Sequence, residues 1–232
     1  MDDQQLKHLF DQQAAGYDAR WAKLAPIRES LHLLLESLFA ELPARARVLC
    51  VGVGTGAELE HLARAFPGWD FMALDLSGAM LEACRRRAEA GGFLARCSFH
   101  EGTVDSLPDA EAYDGATCFL VSQFILDPSA RTAFFRSIAR RLRSGGMLVN
   151  TELSAATETK QFEELLRPWV RMMATTPEVS PATIEKMREA YRQDVAILPA
   201  AAIESIIELG WFSAPVQFYQ AGLIRGWFSR SR

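Results

Sequence analysis

From residue 48 to residue 150, short apolar runs alternate with helix-patterned segments, and this alternation constrains the fold more than any other feature. Val48-Leu49-Cys50-Val51 is a compact apolar run followed at once by glycines, the pattern of a buried strand. From Glu58 to Phe66, Leu59, Leu62, Ala63 and Phe66 share one helical face, and Pro67-Gly68 stops it. Asp70 to Leu74 reads as a second strand, ending on Asp75. Ser77 then caps a helix whose Met80, Leu81, Cys84 and Ala88 face one way, with Gly91-Gly92 at its end. Cys97 to His100 and Ala116 to Val121 supply strands three and four. Asp127-Pro128 starts a helix over Ser129 to Leu142 that is expected to bury Phe134, Ile138 and Leu142. Gly145-Gly146 turns the chain into a fifth strand, Met147 to Asn150. Val216 to Tyr219 and Leu223 to Phe228 are two further strand-like runs, which brings the total to seven. Strands separated by helices cannot pair as hairpins, so the sheet is parallel and covered on both faces. The expected fold is therefore α/β, a doubly wound, mostly parallel seven-stranded sheet whose last strand runs antiparallel. Ligands of such sheets sit beyond the carboxyl ends of the strands, where the winding reverses.

Four segments follow from this pattern. Residues 1–44 are amphipathic helices ahead of the first strand and are expected to form a lid. Residues 45–154 are the ligand-binding core. Residues 155–200, helix-rich and interrupted by Pro168, Pro177 and Pro181, are a helical cap over the substrate side. Residues 201–232 complete the sheet with a helix and the last strands.

Composition narrows the partners. Apolar residues make up 49% of the 232-residue chain and the net charge is -4, which disfavours a phosphate backbone as partner. The arginine runs at 85–87 and 140–143 lie at predicted helix ends, where cations offset the helix dipole. No apolar stretch is long enough to span a membrane, and the acidic start does not fit a secretory signal, so the expected location is cytoplasmic. The four cysteines form no C-x-x-C pair and read as buried thiols, and the scattered histidines suggest no metal site. A homodimer is compatible with all of this.

The loop Gly52-Val53-Gly54-Thr55-Gly56-Ala57 lets backbone N–H groups approach a ligand without an intervening Cβ. Asp75 follows Gly56 by 19 residues, at the tip of the adjacent strand. A carboxylate there can accept hydrogen bonds from both hydroxyls of an unphosphorylated ribose.

These pieces resemble the class I S-adenosylmethionine-dependent methyltransferases. The likeness is carried by Val48 to Gly56, by Leu74-Asp75-Leu76-Ser77 with Met80-Leu81, and by Glu101 to Pro108. Tyr113-Asp114 and Leu142 to Val149 continue it, and Phe10 to Asp18 looks like the lid segment of many such enzymes, with Tyr17 against the cofactor. The resemblance implies that Gly52, Gly54 and Gly56 line the methionine part of S-adenosyl-L-methionine. It implies that Asp75 holds the ribose, with Leu76 and Met80 against the adenine and Gly102, Thr103 and Val104 along its edge. Phe119 and Leu120 would face the sulfonium. Many relatives carry an acid where this chain has Thr103, and Asp105 is the available substitute for the adenine contact.

The implied activity is direct, in-line methyl transfer to a small-molecule acceptor without a metal. No particular residue stands out as catalytic. His100, Asp127 and Glu152 lie near strand ends and are the candidate bases for an acceptor that needs one. Three other readings stay open: a non-catalytic cofactor-binding protein, a tRNA-modifying relative, and an NAD-dependent oxidoreductase. The last lacks the tyrosine–lysine pair of short-chain reductases, since Val195 follows Tyr191 by four residues and Leu223 follows Tyr219.

Overall fold

The computed structural model describes residues 2–108, 112–174 and 180–232. Helices α1 (Asp3–Gln13), α2 (Tyr17–Trp21) and α3 (Ala25–Phe39) precede β1 (Arg47–Val51). The core continues with α4 (Ala57–Ala65), β2 (Asp70–Asp75), α5 (Gly78–Ala90), β3 (Cys97–Glu101), β4 (Tyr113–Phe119), α6 (Pro128–Arg141) and β5 (Leu142–Leu153). The cap is α7 (Lys160–Met173) and α8 (Pro181–Asp194), followed by α9 (Ala200–Leu209), β6 (Val216–Ala221) and β7 (Ile224–Arg230). The sheet order is β3-β2-β1-β4-β5-β7-β6, parallel from β3 to β5, with β7 antiparallel to both of its neighbours. The winding reverses between β1 and β4, so the two strands diverge there at their carboxyl ends.

Local chemistry sets the helix starts. The Ser77 hydroxyl accepts a hydrogen bond from Met80 N, and the Asp127 carboxylate accepts one from Ala130 N ahead of Pro128. Each occupies a backbone donor that the first helical turn leaves without a partner.

Three local expectations are corrected. The face of α6 that is buried carries Arg131, Phe135 and Ile138, and Phe134 is only half-buried. Arg131 is drawn inward by Glu152, which rotates the buried stripe away from Phe134. Strand β5 is longer than Met147 to Asn150, because Leu142 already pairs with Tyr113 and the pairing with β7 continues to Leu153. Pro168 does not interrupt the cap, since α7 runs through it. A proline removes one backbone hydrogen bond, but Phe162, Leu166, Trp169 and Val170 are buried on one side of this helix and hold it together. Pro177 lies outside the described residues.

Helices cover both faces of the sheet. On one face Leu35 and Phe39 of α3, Leu59 and Leu62 of α4, and Leu81 and Cys84 of α5 pack on Val48 and Cys50. On the other, Phe135 and Ile138 of α6 and Ile203 and Ile207 of α9 pack on Leu49 and Leu148. A third cluster joins Leu166 and Trp169 of α7 to Leu31, Leu153 and Ile224. The leading segment is thus physically two things: α3 belongs to the core, whereas α1 and α2 contain no buried residue. All four cysteines are free thiols, and Cys50, Cys84 and Cys118 are buried.

Beneath the carboxyl ends of β4 and β5 lies a closed ionic network. Arg131 and Glu152 are both 0% exposed and form an ion pair through Nη2 and Oε2. Glu152 Oε1 also accepts from the Ser122 hydroxyl and from Asn150 Nδ2, and Arg131 Nη1 donates to the Ala196 carbonyl at 3.1 Å. Removing one partner would strand the other charge in a medium that cannot solvate it. Glu152→Leu is expected to cost about 3–5 kcal/mol in urea unfolding. The double change Arg131→Met with Glu152→Leu should recover most of that loss. Equal stability of the single variant and the wild type would refute this account.

Candidate functional site

A cavity of about 1120 Å³ opens where β1 and β4 part. Its floor is the turn after β1. Gly52 and Gly54 take left-handed backbone angles, φ +63° and +54°, and the space a Cβ would occupy on Gly54 is empty. A side chain at Gly54 would therefore be strained and would intrude on the cavity. Gly56 serves another purpose: it is not among the lining residues, and a Cβ there would lie 2.4 Å from Cys84 Sγ. Its missing side chain is what lets α4 and α5 approach.

Asp75 stands beside this turn and lines the cavity. Its Oδ2 accepts from Gly54 N at 2.8 Å and its Oδ1 from Ser77 N at 2.9 Å. Each oxygen keeps further acceptor capacity for a ligand hydroxyl. Burial raises the Asp75 carboxyl above its ordinary value, and the two backbone donors oppose that. Leu76, Met80, Gly102, Thr103, Val104, Phe119, Leu120 and Tyr17 all line the same space, as does Asp105. Thr103 caps the turn that follows it, exchanging hydrogen bonds with Ser106. Leu120 holds φ +58°, unusual for a branched side chain, and its N–H donates to the Thr151 carbonyl. The residues expected along the cofactor are thus brought together, with Gly56 standing behind them.

The opposite wall is apolar and comes from α1–α3 and the cap. Phe10 meets Phe124 edge-on at 5.7 Å, and Tyr17 meets Trp21 at 6.2 Å. Polar ties hold α1 and α2 in place: Lys7 to Glu101, Asp11 to the Ser77 hydroxyl, and Asp18 to both the Thr55 hydroxyl and Arg87. Burial and the nearby carboxylates push the Tyr17 phenol up to about 12. In the cap, Trp169 and Met173 reach the cavity, while Met172 and Met187 pack against the cluster that contains Trp169.

None of the three candidate bases is free in this cavity. His100 bonds Ser106 and, like Glu152, is not among the lining residues. Glu152 is shut in with Arg131. Asp127 reaches the rim, but its carboxylate caps α6.

Sequence reasoning passed over several ionisable residues of the lining, Glu58, Arg28 and His32 among them. Glu58 looks like an ordinary first-turn acid, yet it is only 8% exposed, and burial pushes its carboxyl up to about 8. His32 is buried as well, which lowers it to about 4 and keeps it neutral. Only helical projections of α3 and α4 with the cavity side already known would have selected these residues.

Residues 48–146 match the family model described as a methyltransferase domain. These residues are a methyltransferase domain of the class I S-adenosylmethionine-dependent type. The sheet order and antiparallel last strand are those of this family's fold, and the family's cofactor is S-adenosylmethionine. The chain is 48% identical over 129 residues to a malonyl-[acyl-carrier protein] O-methyltransferase of Magnetococcus marinus, covering 55% of this chain and 43% of that one. It is 29% identical over 120 residues to a fatty-acid O-methyltransferase of Mycolicibacterium smegmatis, covering 52% and 42%. A putative O-methyltransferase of Nostoc punctiforme superposes with a TM-score of 0.69 at 15% identity, over 96% of this chain and 60% of that one. The chain spans about half the length, or less, of most curated relatives it matches. Among the described residues, no helix of this methyltransferase fold is long and apolar enough to cross a membrane.

Glu58 ties the stability of the fold to pH. Its folded-state value of about 8 lies above the ordinary 4.5, so between these values the fold holds a proton that the unfolded chain has released. Stability contributed by this group is therefore lost as pH rises through that window. Melting curves at pH 5 and pH 8 should show a larger drop for the wild type than for Glu58→Gln. Identical drops would contradict the assignment.

Proposed function

We propose that this chain transfers a methyl group from S-adenosylmethionine to a small-molecule acceptor seated between the strand ends and the α7–α8 cap. The observation that carries this reading is one continuous cavity joining the turn at Gly52 and Gly54 and the Asp75 carboxylate to the apolar residues Trp169 and Met173. The residues present fit the cofactor. Asp75 retains acceptor capacity for ribose hydroxyls, Gly54 leaves room for close approach, and Met80 and Val104 offer apolar contact to a purine. Bound there, S-adenosylmethionine supplies a methyl group on a positively charged sulfur.

The protein's part is then placement. Phe119 and Leu120, at the end of β4, bring the acceptor into line with the methyl carbon. Orientation of this kind can account for up to about 7–11 kcal/mol of the barrier. His100 and Glu152 lie outside the cavity and Asp127 caps α6 at its rim, and an acceptor with its own lone pair available, an amine or an already ionised oxygen or sulfur, needs none of the three. The apolar enclosure excludes water from the transfer. The acidic lining and the enclosed shape favour a small molecule over a nucleic acid, whose binding depends on phosphate contacts.

Two experiments test the reading. Asp75→Ala should weaken S-adenosylhomocysteine binding roughly ten- to over a hundredfold in calorimetry, from the loss of hydrogen bonds to a charged group. Unchanged affinity would remove the ribose assignment. Incubation with methyl-labelled cofactor and fractionated cell extract should label the small-molecule fraction, with or without chelator. Label confined to RNA or DNA, or activity lost with chelator, would overturn the proposal.

A further inference from the structure

We infer that Arg28 is the carboxylate-binding point of the cavity. The inference rests on the reading that this cavity seats both cofactor and acceptor. The chain turns Leu24, Ile27, Arg28, Leu31 and His32 toward the cavity, the spacing of a single helical face. Among the described lining residues Arg28 is the lone lysine or arginine, set against Asp3, Asp18, Glu58, Asp75, Asp105 and Asp127. Neighbouring cations are already engaged: Lys7 with Asp11 and Glu101, Arg87 with Asp18 and Glu60, and Arg131 with Glu152. Half-buried Arg28 makes no hydrogen bond or ion pair with any described residue.

A guanidinium partly withdrawn from water beside Ile27 and Leu31 has lost some of its solvation and has no counter-ion among the described residues. Its planar fork matches a carboxylate, which it can hold through two parallel hydrogen bonds. Of the lining acids, Glu58 is held protonated by burial and Asp18 is paired with Arg87, and the carboxylates that remain repel a multiply charged anion more than a singly charged one, so a carboxylate fits better than a phosphate. His32, one turn along and neutral, adds hydrogen-bonding capacity without adding charge.

Two carboxylates can reach this point, and they share this chemistry. One is the amino-acid end of the cofactor. The other is an acid group on an otherwise apolar acceptor, since Leu31 packs in one cluster with Trp169 and Ile224 of the cap side.

The test uses Arg28→Met and Arg28→Lys with two matched pairs of probes. S-adenosylhomocysteine and methylthioadenosine differ by the amino-acid part and are compared by calorimetry. Dodecanoate and dodecanol differ in charge and are compared by tryptophan fluorescence. If the cofactor is the source, Arg28→Met should weaken S-adenosylhomocysteine roughly ten- to a hundredfold and leave methylthioadenosine unchanged. If the acceptor is the source, it should abolish a preference for dodecanoate over dodecanol and leave S-adenosylhomocysteine unchanged. In either case Arg28→Lys, which keeps the charge but not the fork, should retain part of the effect, and it carries the test should the methionine variant not fold. Wild-type binding of all four probes by the folded variants, or equal loss within both pairs, would overturn the inference. A wild type that binds no S-adenosylhomocysteine would fail the functional reading alone, leaving the dodecanoate pair to decide Arg28.

Discussion

A parallel sheet wound outward from its centre must reverse direction once, and everything in this molecule is arranged around that reversal. Strands β1 and β4 are hydrogen-bonded neighbours along their length, from Val48 opposite Gly115 to Val51 opposite Cys118. Beyond those residues their connections leave to opposite faces, because a right-handed crossover allows nothing else. The chain after β1 goes to α4 and the chain after β4 goes to α6. The gap between them is a cavity with backbone, not side chains, as its floor. The glycines after β1 are the local consequence, since a side chain at Gly54 would stand in the opening.

Electrostatics divides this region into a sealed part and an open part. Arg131 and Glu152 neutralise each other below the strand ends, with Ser122 and Asn150 donating to Glu152 and the Ala196 carbonyl accepting from Arg131. That network fixes the segment after β4, including Leu120, without offering any group to a ligand. In the cavity itself the balance is different. Glu58 and Arg28 face the same space and form no ion pair among the described residues, and burial has already pushed the Glu58 carboxyl up to about 8. A fully hydrophobic pocket would bind apolar molecules well but would not orient them. These two groups give it polarity at fixed points.

The enclosing elements differ in how they are attached. Helix α3 is built into the core through Leu35 and Phe39, and α7 through Leu166 and Trp169. Helices α1 and α2 bury no residue completely and rest on Asp11, Asp18 and Lys7. Such exposed polar ties are individually weak and are screened by salt. The cavity therefore has one firmly packed wall and one held mostly by charge.

The sequence by itself determined the order of the strands and helices, the parallel sheet with its antiparallel last strand, and the Gly52–Gly54 turn beside Asp75. These are legible because their causes are local: a run of apolar residues, a glycine that permits a left-handed turn, a serine or aspartate that caps the next helix. The tertiary structure alone decided which side of α6 is inside, because Arg131 reaches Glu152 on another element. It also decided that α7 continues through Pro168, since burial of Phe162 and Trp169 outweighs one missing hydrogen bond. Glu58, His32 and Arg28 became visible as site residues only when α3 and α4 were seen to share a wall. Gly56 left the expected lining for the same kind of reason: its neighbour is Cys84 of α5, not the cavity. A charge's significance depends on what surrounds it, and that environment is assembled from segments far apart in the chain.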